Sequence, residues 1–364
     1  PRGIDLTSFP YNAWRKVTRA TLMDDDKEMF LTGSPQGEPG LREAIRGYLH
    51  SARGVNCTAD QIIIGAGSEY LMMLLTQILG TSRTIAMENP TYRQAYRVFE
   101  SLGCQMKPVE MDAHGMNVRL LEESGADIAY VMPSHQYPMG VVMPVKRRQE
   151  LLSWAGRGEK RYLIEDDYDS EFRYRGKPVP ALQGMDIQGK VIYMGTFSKS
   201  IAPAIRVGYL VLPAPLLAVY KRKCGFYAST VSRIDQKIIY QFLTEGHYER
   251  HLNRMRAIYK GKHDVLMSEL KTLGTEFIVQ GEYAGLHVLL KYRKAGMETW
   301  LVEEAAKARV GVYGISGFLI APLADQKEKC FSTVVLGYAR LNEDQIREGI
   351  RRLAAAWKCS RPCP

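Results

Sequence analysis

A chain of 364 residues, 46% hydrophobic and 24% charged, is long enough for two domains and has ordinary globular composition. Its net charge of +10 is spread out, with modest clusters at 146–148, 220–223 and 250–262, so anionic ligands and solvated helix faces explain it better than a nucleic-acid surface. No apolar run reaches the roughly 20 residues that cross a bilayer, no signal peptide opens the chain, and the six cysteines form no C-x-x-C pair, so a cytoplasmic protein with reduced thiols, no membrane association and no metal is expected.

The first forty residues are rich in Pro, Gly and charge and are expected to pack on a smaller C-terminal domain. From 41 to 245 a larger domain is expected. Short apolar, β-branched runs at 61–64, 84–88, 105–109, 127–132, 161–166, 190–194 and 206–212 alternate there with helical stretches such as 68–79, 91–102 and 146–155. That alternation implies an α/β fold, a mostly parallel sheet between helices, with ligands at the carboxyl ends of the strands. Helical periodicity at 214–223, 232–243 and 246–271 follows, then strands at Leu286–Lys291 and Val334–Ala339 and helices at 297–309 and 342–357. Residues 246–364 therefore read as a smaller α+β domain.

Five expected strand ends carry chemistry. Ile62-Ile63-Ile64-Gly65-Ala66-Gly67-Ser68-Glu69 is a strand entering a helix through a glycine turn. Its amides and the Ser68 hydroxyl suit a phosphate, although glycines serve such turns for steric reasons alone. Tyr92, after Glu88-Asn89-Pro90-Thr91, offers an aromatic face to a planar ring or simply packs. Pro133 and Pro138 fix a loop whose His135 and Tyr137 face the same region, His135 reading as a loop-stabilising residue rather than a catalyst. In Tyr162-Leu163-Ile164-Glu165-Asp166-Asp167-Tyr168-Asp169, alternation sets Asp166 and Tyr168 on one face and Glu165 and Asp167 on the other. Three acids in a row also suit a metal site or a solvated loop, and one residue of register would exchange Asp166 for Asp167. Last, Lys199 closes Gly195-Thr196-Phe197-Ser198-Lys199 after the apolar run Val191-Ile192-Tyr193-Met194, with Arg206 beyond it. Desolvation and nearby cations lower a lysine's pKa, so its amine can form a Schiff base with an aldehyde, here most simply pyridoxal 5'-phosphate (PLP).

Taken together, these motifs resemble a fold type I PLP-dependent aminotransferase and, within that class, the effector domain of MocR/GabR-type regulators of the GntR superfamily. The marks are Phe9-Pro10 with Trp14, Pro35-Gln36-Gly37 with Leu41-Arg42-Glu43-Ala44-Ile45, Pro133-Ser134-His135-Gln136, Glu165 to Tyr174, Gly195 to Lys199, Arg250-His251 with Arg254-Met255-Arg256, and Gly285-Leu286-His287. The resemblance implies that Lys199 forms the Schiff base, Asp166 partners the pyridine nitrogen, Tyr168 contacts the phenolate oxygen and Tyr92 stacks on the ring. Gly67, Ser68, Glu69, Thr196, Ser198 and Arg206 would hold the phosphate. It also implies a homodimer, an amine or amino-acid ligand, and DNA contact only through a winged-helix domain preceding Pro1.

Three positions depart from the aminotransferase pattern. The arginine that grips a substrate carboxylate aligns with Val335, with Arg340 on the following turn. A tyrosine that reaches the partner's phosphate aligns with Thr32, and the asparagine before Pro138 is Tyr137. The expected function is thus a PLP-binding effector and oligomerisation domain of a regulator, with a working aminotransferase, or a dimerisation module with a decayed pocket, as alternatives.

Overall fold

The structure, a computed structural model, describes residues 3–23, 27–174 and 179–359. Eight helices belong to the first two thirds: α1 (Tyr11–Met23), α2 (Pro39–Arg53), α3 (Ser68–Leu79), α4 (Arg93–Ser101), α5 (Val118–Glu123), α6 (Val145–Gly156), α7 (Ala214–Lys223) and α8 (Arg233–Thr244). The strands among them are β1 (Ile62–Gly65), β2 (Thr84–Asn89), β3 (Gln105–Asp112), β4 (Gly115–Met116), β5 (Ile128–Val131), β6 (Tyr162–Asp167), β7 (Val191–Thr196) and β8 (Gly208–Val211). Helix boundaries follow local chemistry. Pro39 opens α2, where its missing N–H costs nothing, and Gly54 closes it at φ 66°, in the left-handed region.

These strands form one sheet in the order β1-β8-β7-β6-β5-β2-β3-β4. Strands β3, β2, β5, β6 and β7 are parallel, whereas β8 is antiparallel to both β7 and β1. The expected strand 206–212 is therefore shorter and reversed. A parallel return needs a crossover of roughly a dozen residues or more, usually helical, and the connection 197–207 instead turns the chain straight back. Both faces of the sheet are covered. Ile63 packs with α3, α4 and α7, while Ile62 and Ile64 on the opposite face pack with α2 and α8. That burial explains why these strands read as unbroken apolar runs.

The remaining third contains α9 (His247–Leu270), α10 (Glu298–Lys307) and α11 (Glu343–Cys359), with β9 (Phe277–Gln280), β10 (His287–Tyr292), β11 (Tyr313–Gly314) and β12 (Thr333–Gly337). Its antiparallel sheet runs β11-β12-β10-β9. One face packs Val288, Leu290, Val334 and Leu336 under the three helices. On the other face Leu289 and Val335 join the core of the larger sheet.

Within the first forty residues the contacts divide. Trp14 of α1 meets Phe242 of α8 with ring centroids 5.5 Å apart, and Thr21 Oγ1 donates to Gln241 Oε1 at 2.7 Å. Ile4 and Asp5 reach α9, where Lys262 Nζ lies 2.7 Å from Asp5 Oδ2 and also donates to the Ala339 carbonyl at 2.8 Å. Among the described residues no helix is long and apolar enough to cross a membrane, and Cys57, Cys104, Cys224 and Cys330 carry free thiols.

Candidate cofactor site

At the carboxyl edge of the larger sheet, β1, β2, β5, β6 and β7 end around a cavity of about 220 Å³. Its walls include Ser68, Glu69, Tyr92, Tyr137, Asp166, Tyr168, Thr196, Ser198, Lys199 and Arg206. Ten of the residues singled out in the sequence thus meet in one place. Gly67 stands beside them, Asp169, Met132, Pro203, Leu286 and His287 complete the wall, and Arg340 lies elsewhere.

The end formed by α3 is built for an anion. Gly67 precedes the helix at φ 87° and ψ 174° and, as a glycine, supplies no side-chain cap. A Cβ at Gly67 would lie 2.5 Å from the Arg206 guanidinium and would sit on a positive-φ backbone that favours glycine, so any other residue there displaces that arginine. Arg206 itself is left-handed, at φ 52°, and its Nη2 pairs with Glu69 Oε2 at 2.6 Å. Burial opposes ionisation of Glu69, but the Arg206 bond and charge, the Glu69 amide and Ser68 together outweigh it, and its pKa is lowered. Across from α3, Thr196 Oγ1 donates to Ser198 Oγ at 3.0 Å and accepts from the Ser198 amide at 3.1 Å.

Alternation along β6 sorts the acids. Glu165 turns away and accepts from the Leu182 and Gln183 amides at 2.7 and 2.8 Å. Asp167 also turns away, held by Arg53 Nε at 2.8 Å and the Tyr193 hydroxyl at 2.6 Å. Asp166 faces the cavity, where it accepts a hydrogen bond from the Tyr130 hydroxyl and makes no ion pair among the described residues. Burial pushes its pKa up to about 7 against that bond, and the charges of Asp167 and Asp169 add to the rise.

Below Tyr168 lies a polar cluster the sequence reading did not assemble. His135 Nδ1 is 2.9 Å from Asp169 Oδ2 and 3.1 Å from the Tyr168 hydroxyl. The His287 ring centroid lies 4.9 Å from that of His135, and His287 Nε2 donates to the Pro138 carbonyl at 2.9 Å. Burial, with His135 adding, lowers the pKa of His287 to about 3, so its ring is neutral. In the sequence His287 figures only within the family mark Gly285-Leu286-His287, with no role in the site assigned to it. Tyr137 stands edge-on to Tyr92, with centroids 6.1 Å apart, and also lines an adjoining cleft of about 1040 Å³ that contains Gly3, Arg309, Arg340 and Arg352. Val335 is fully buried in β12 between Leu289 and Tyr313. It offers no substitute for a carboxylate-binding cation.

The cradle at Gly67, four hydroxyl or guanidinium donors around it, an aromatic wall, a lysine and a buried carboxylate fit PLP in size and in charge order. Asp166 is the sharpest test. A buried carboxylate that makes no ion pair among the described residues gains most from a protonated pyridine nitrogen. Residues 5–353 match the family described as aminotransferase class I and II.

The chain belongs to that family.

Its fold is that of the fold type I PLP-dependent enzymes, and PLP is the family's cofactor. The chain is 39% identical over 357 residues to the uncharacterized HTH-type transcriptional regulator YdeL of Bacillus subtilis, covering 98% of this chain and 76% of YdeL. It is 30% identical to the probable rhizopine catabolism regulatory protein MocR of Rhizobium meliloti, covering 97% and 71%. The crystal structure of the multiple substrate aminotransferase of Thermococcus profundus superposes with a TM-score of 0.84 at 26% identity, covering 98% of this chain and 89% of that one.

Proposed function

We propose that this chain is the PLP-binding effector and oligomerisation domain of a MocR-type transcriptional regulator, sensing PLP or an amine ligand at Lys199. The observation that carries the reading is the cavity that gathers Lys199, Asp166, Tyr168 and the anion cradle, while Val335 fills the carboxylate-binding position with core. Similarity to YdeL and MocR along nearly the whole chain supports a regulatory role. In this reading residues 41–245 bind the cofactor, residues 246–364 form a smaller domain, and residues 1–40 pack beside them. The protein acts as a cytoplasmic homodimer and reaches DNA through a preceding winged-helix domain.

When bound, PLP supplies an aldehyde that condenses with amines and a ring that withdraws electrons. Lys199 Nζ holds the cofactor covalently. Asp166 keeps a proton on the pyridine nitrogen, Tyr168 donates to the phenolate oxygen, and Tyr92 covers a ring face. Ser68, Thr196, Ser198 and Arg206 orient the phosphate, with Gly67 and Glu69 shaping their side of the cradle. A ligand then shifts promoter occupancy only by binding two arrangements of the protein with different affinity.

A second reading, an aminotransferase in which Lys199 Nζ moves a proton to and from the substrate α-carbon, draws support from the Thermococcus enzyme and from Arg340. That arginine is a cation in the cleft that shares Tyr137 with the cofactor cavity.

Purified protein loaded with PLP should carry a borohydride-reducible adduct that Lys199→Ala abolishes. Survival of the adduct in that variant would exclude the lysine. Amino donors should then be screened for keto-acid product, and repeated turnover with a common amino acid would replace the regulatory reading with the enzymatic one.

A further inference from the structure

The geometry points to Asp169 and His135 as positioning residues that aim the Tyr168 hydroxyl proton into the cofactor cavity. His135 and Asp169 are buried and Tyr168 is partly buried, and both Asp169 and Tyr168 address the same imidazole nitrogen, Nδ1. One nitrogen cannot donate to the carboxylate and accept from the phenol at once. Its tautomer therefore decides where the phenol's proton goes.

Three observations fix that tautomer. Nε2 of His135 is buried and has no hydrogen-bond partner among the described residues, so a proton there would be a stranded donor, whereas a bare lone pair is easier to leave unmet. Asp169 Oδ2, at 2.9 Å, is an acceptor suited to Nδ1–H. His287, the ring nearest His135, is neutral and already donates to a backbone carbonyl, so it neither charges nor bonds Nε2. With Nδ1–H given to Asp169, the imidazole cannot accept from Tyr168, and the Asp169 carboxylate, which also neighbours the phenol, is engaged by the ring. The Tyr168 proton can then turn to a group in the cavity, and burial, with the charge of Asp169 adding, keeps the phenol protonated.

The chain also holds the imidazole in place. Gly285, at φ 77°, lies against it so closely that a Cβ would fall 1.9 Å from His135 Cε1. The role rests on the proposal that Tyr168 bonds the cofactor's phenolate oxygen, and the test separates the two.

The readout is the pH midpoint at which the visible absorbance of the PLP-loaded full chain changes, with thermal unfolding measured in parallel. A donor on the phenolate oxygen favours the deprotonated Schiff base, so losing it raises the midpoint. Tyr168→Phe should raise it by about one pH unit, as expected for a hydrogen bond to a charged group. His135→Leu and Asp169→Ala should each raise it toward the same value, and His135→Leu combined with Tyr168→Phe should match Tyr168→Phe alone. His135→Asn, whose amide N–H can stand in for Nδ1–H, should restore most of the original midpoint. If Tyr168→Phe moves the midpoint while His135→Leu and Asp169→Ala change only thermal stability, the positioning role is wrong and the Tyr168 contact stands. If Tyr168→Phe leaves the midpoint in place, both are wrong.

Discussion

Asp167 Oδ2 lies 2.8 Å from Arg53 Nε with both side chains enclosed, so the acid next to Asp166 in sequence is neutralised on the opposite face of the sheet. The pair decides which of two adjacent carboxylates the cavity sees. Arg53 also donates to Ser134 Oγ at 2.7 Å and to the Val179 carbonyl at 2.9 Å, tying α2 to the loop under the site.

Arg53→Met should retain the packing of the stem and leave Asp167 with the Tyr193 hydroxyl alone. Stranding one member of a buried pair costs about 3 kcal/mol, to be measured by urea unfolding of the cofactor-free protein. A loss under roughly 0.5 kcal/mol, the range of an unimportant surface change, would mean the pair does not stabilise the fold.

The pH dependence of the cofactor-free protein should carry the mark of Asp166. Its folded pKa of about 7 exceeds the ordinary 3.8, so between those values the folded chain holds a proton that the unfolded chain has released. Stability should therefore fall as pH rises from about 4 to about 7, and level off above. Asp166→Asn should flatten that slope and raise the melting temperature at pH 8, yet weaken PLP binding at least tenfold in an absorbance titration. An unchanged slope would assign the decline to other buried acids, such as Glu165 and Glu171, whose pKa values burial also raises to about 7.

Gly67→Ala sets a methyl group against the Arg206 guanidinium in a backbone conformation that side chains rarely adopt. Strain of this kind costs roughly 1–3 kcal/mol, and the displaced arginine should weaken cofactor affinity by more than tenfold. Calorimetric titration with PLP and with inorganic phosphate reads both effects, and equal affinities for variant and parent would dissociate the cradle from phosphate binding.

Arg340→Met should leave PLP affinity unchanged while weakening any ligand whose carboxylate enters the adjoining cleft. Loss of a charge-assisted contact of about 1.5–3 kcal/mol corresponds to a ten- to hundredfold drop in affinity. Amine ligands with and without a carboxylate, compared by the spectral shift of the loaded protein, distinguish this from a general disturbance, which would affect both alike.

Most of the sheet was legible because its strands are buried on both faces and flanked by turns. β1, β2, β5, β6 and β7 lie within a residue or two of the apolar runs that announced them. β8 was located without its direction, because strand sense comes from the connection and not from the residues. α1, although amphipathic, was not singled out within the Pro-, Gly- and charge-rich first forty residues. The two-residue strands β4 and β11 have no period to read, and β9 alternates half-buried with exposed residues. In the site, groups at strand ends could be collected from sequence because a parallel sheet gathers them. The place of His287 beside His135 could not, since His287 is carried by β10 of the other sheet.

The reversal at 197–207 has a consequence for how the protein is assembled. Thr196, Ser198, Lys199 and Arg206 all ride on the single link between neighbouring strands β7 and β8, whose pairing closes only a short loop. Contacts so local form early and cost little chain entropy. The proposed covalent anchor and half of the proposed phosphate contacts are thus in place once the larger sheet closes, whereas Leu286 and His287 arrive only with the second sheet. Capture of the cofactor is a property of one hairpin-like unit, and its tuning is a property of the completed molecule.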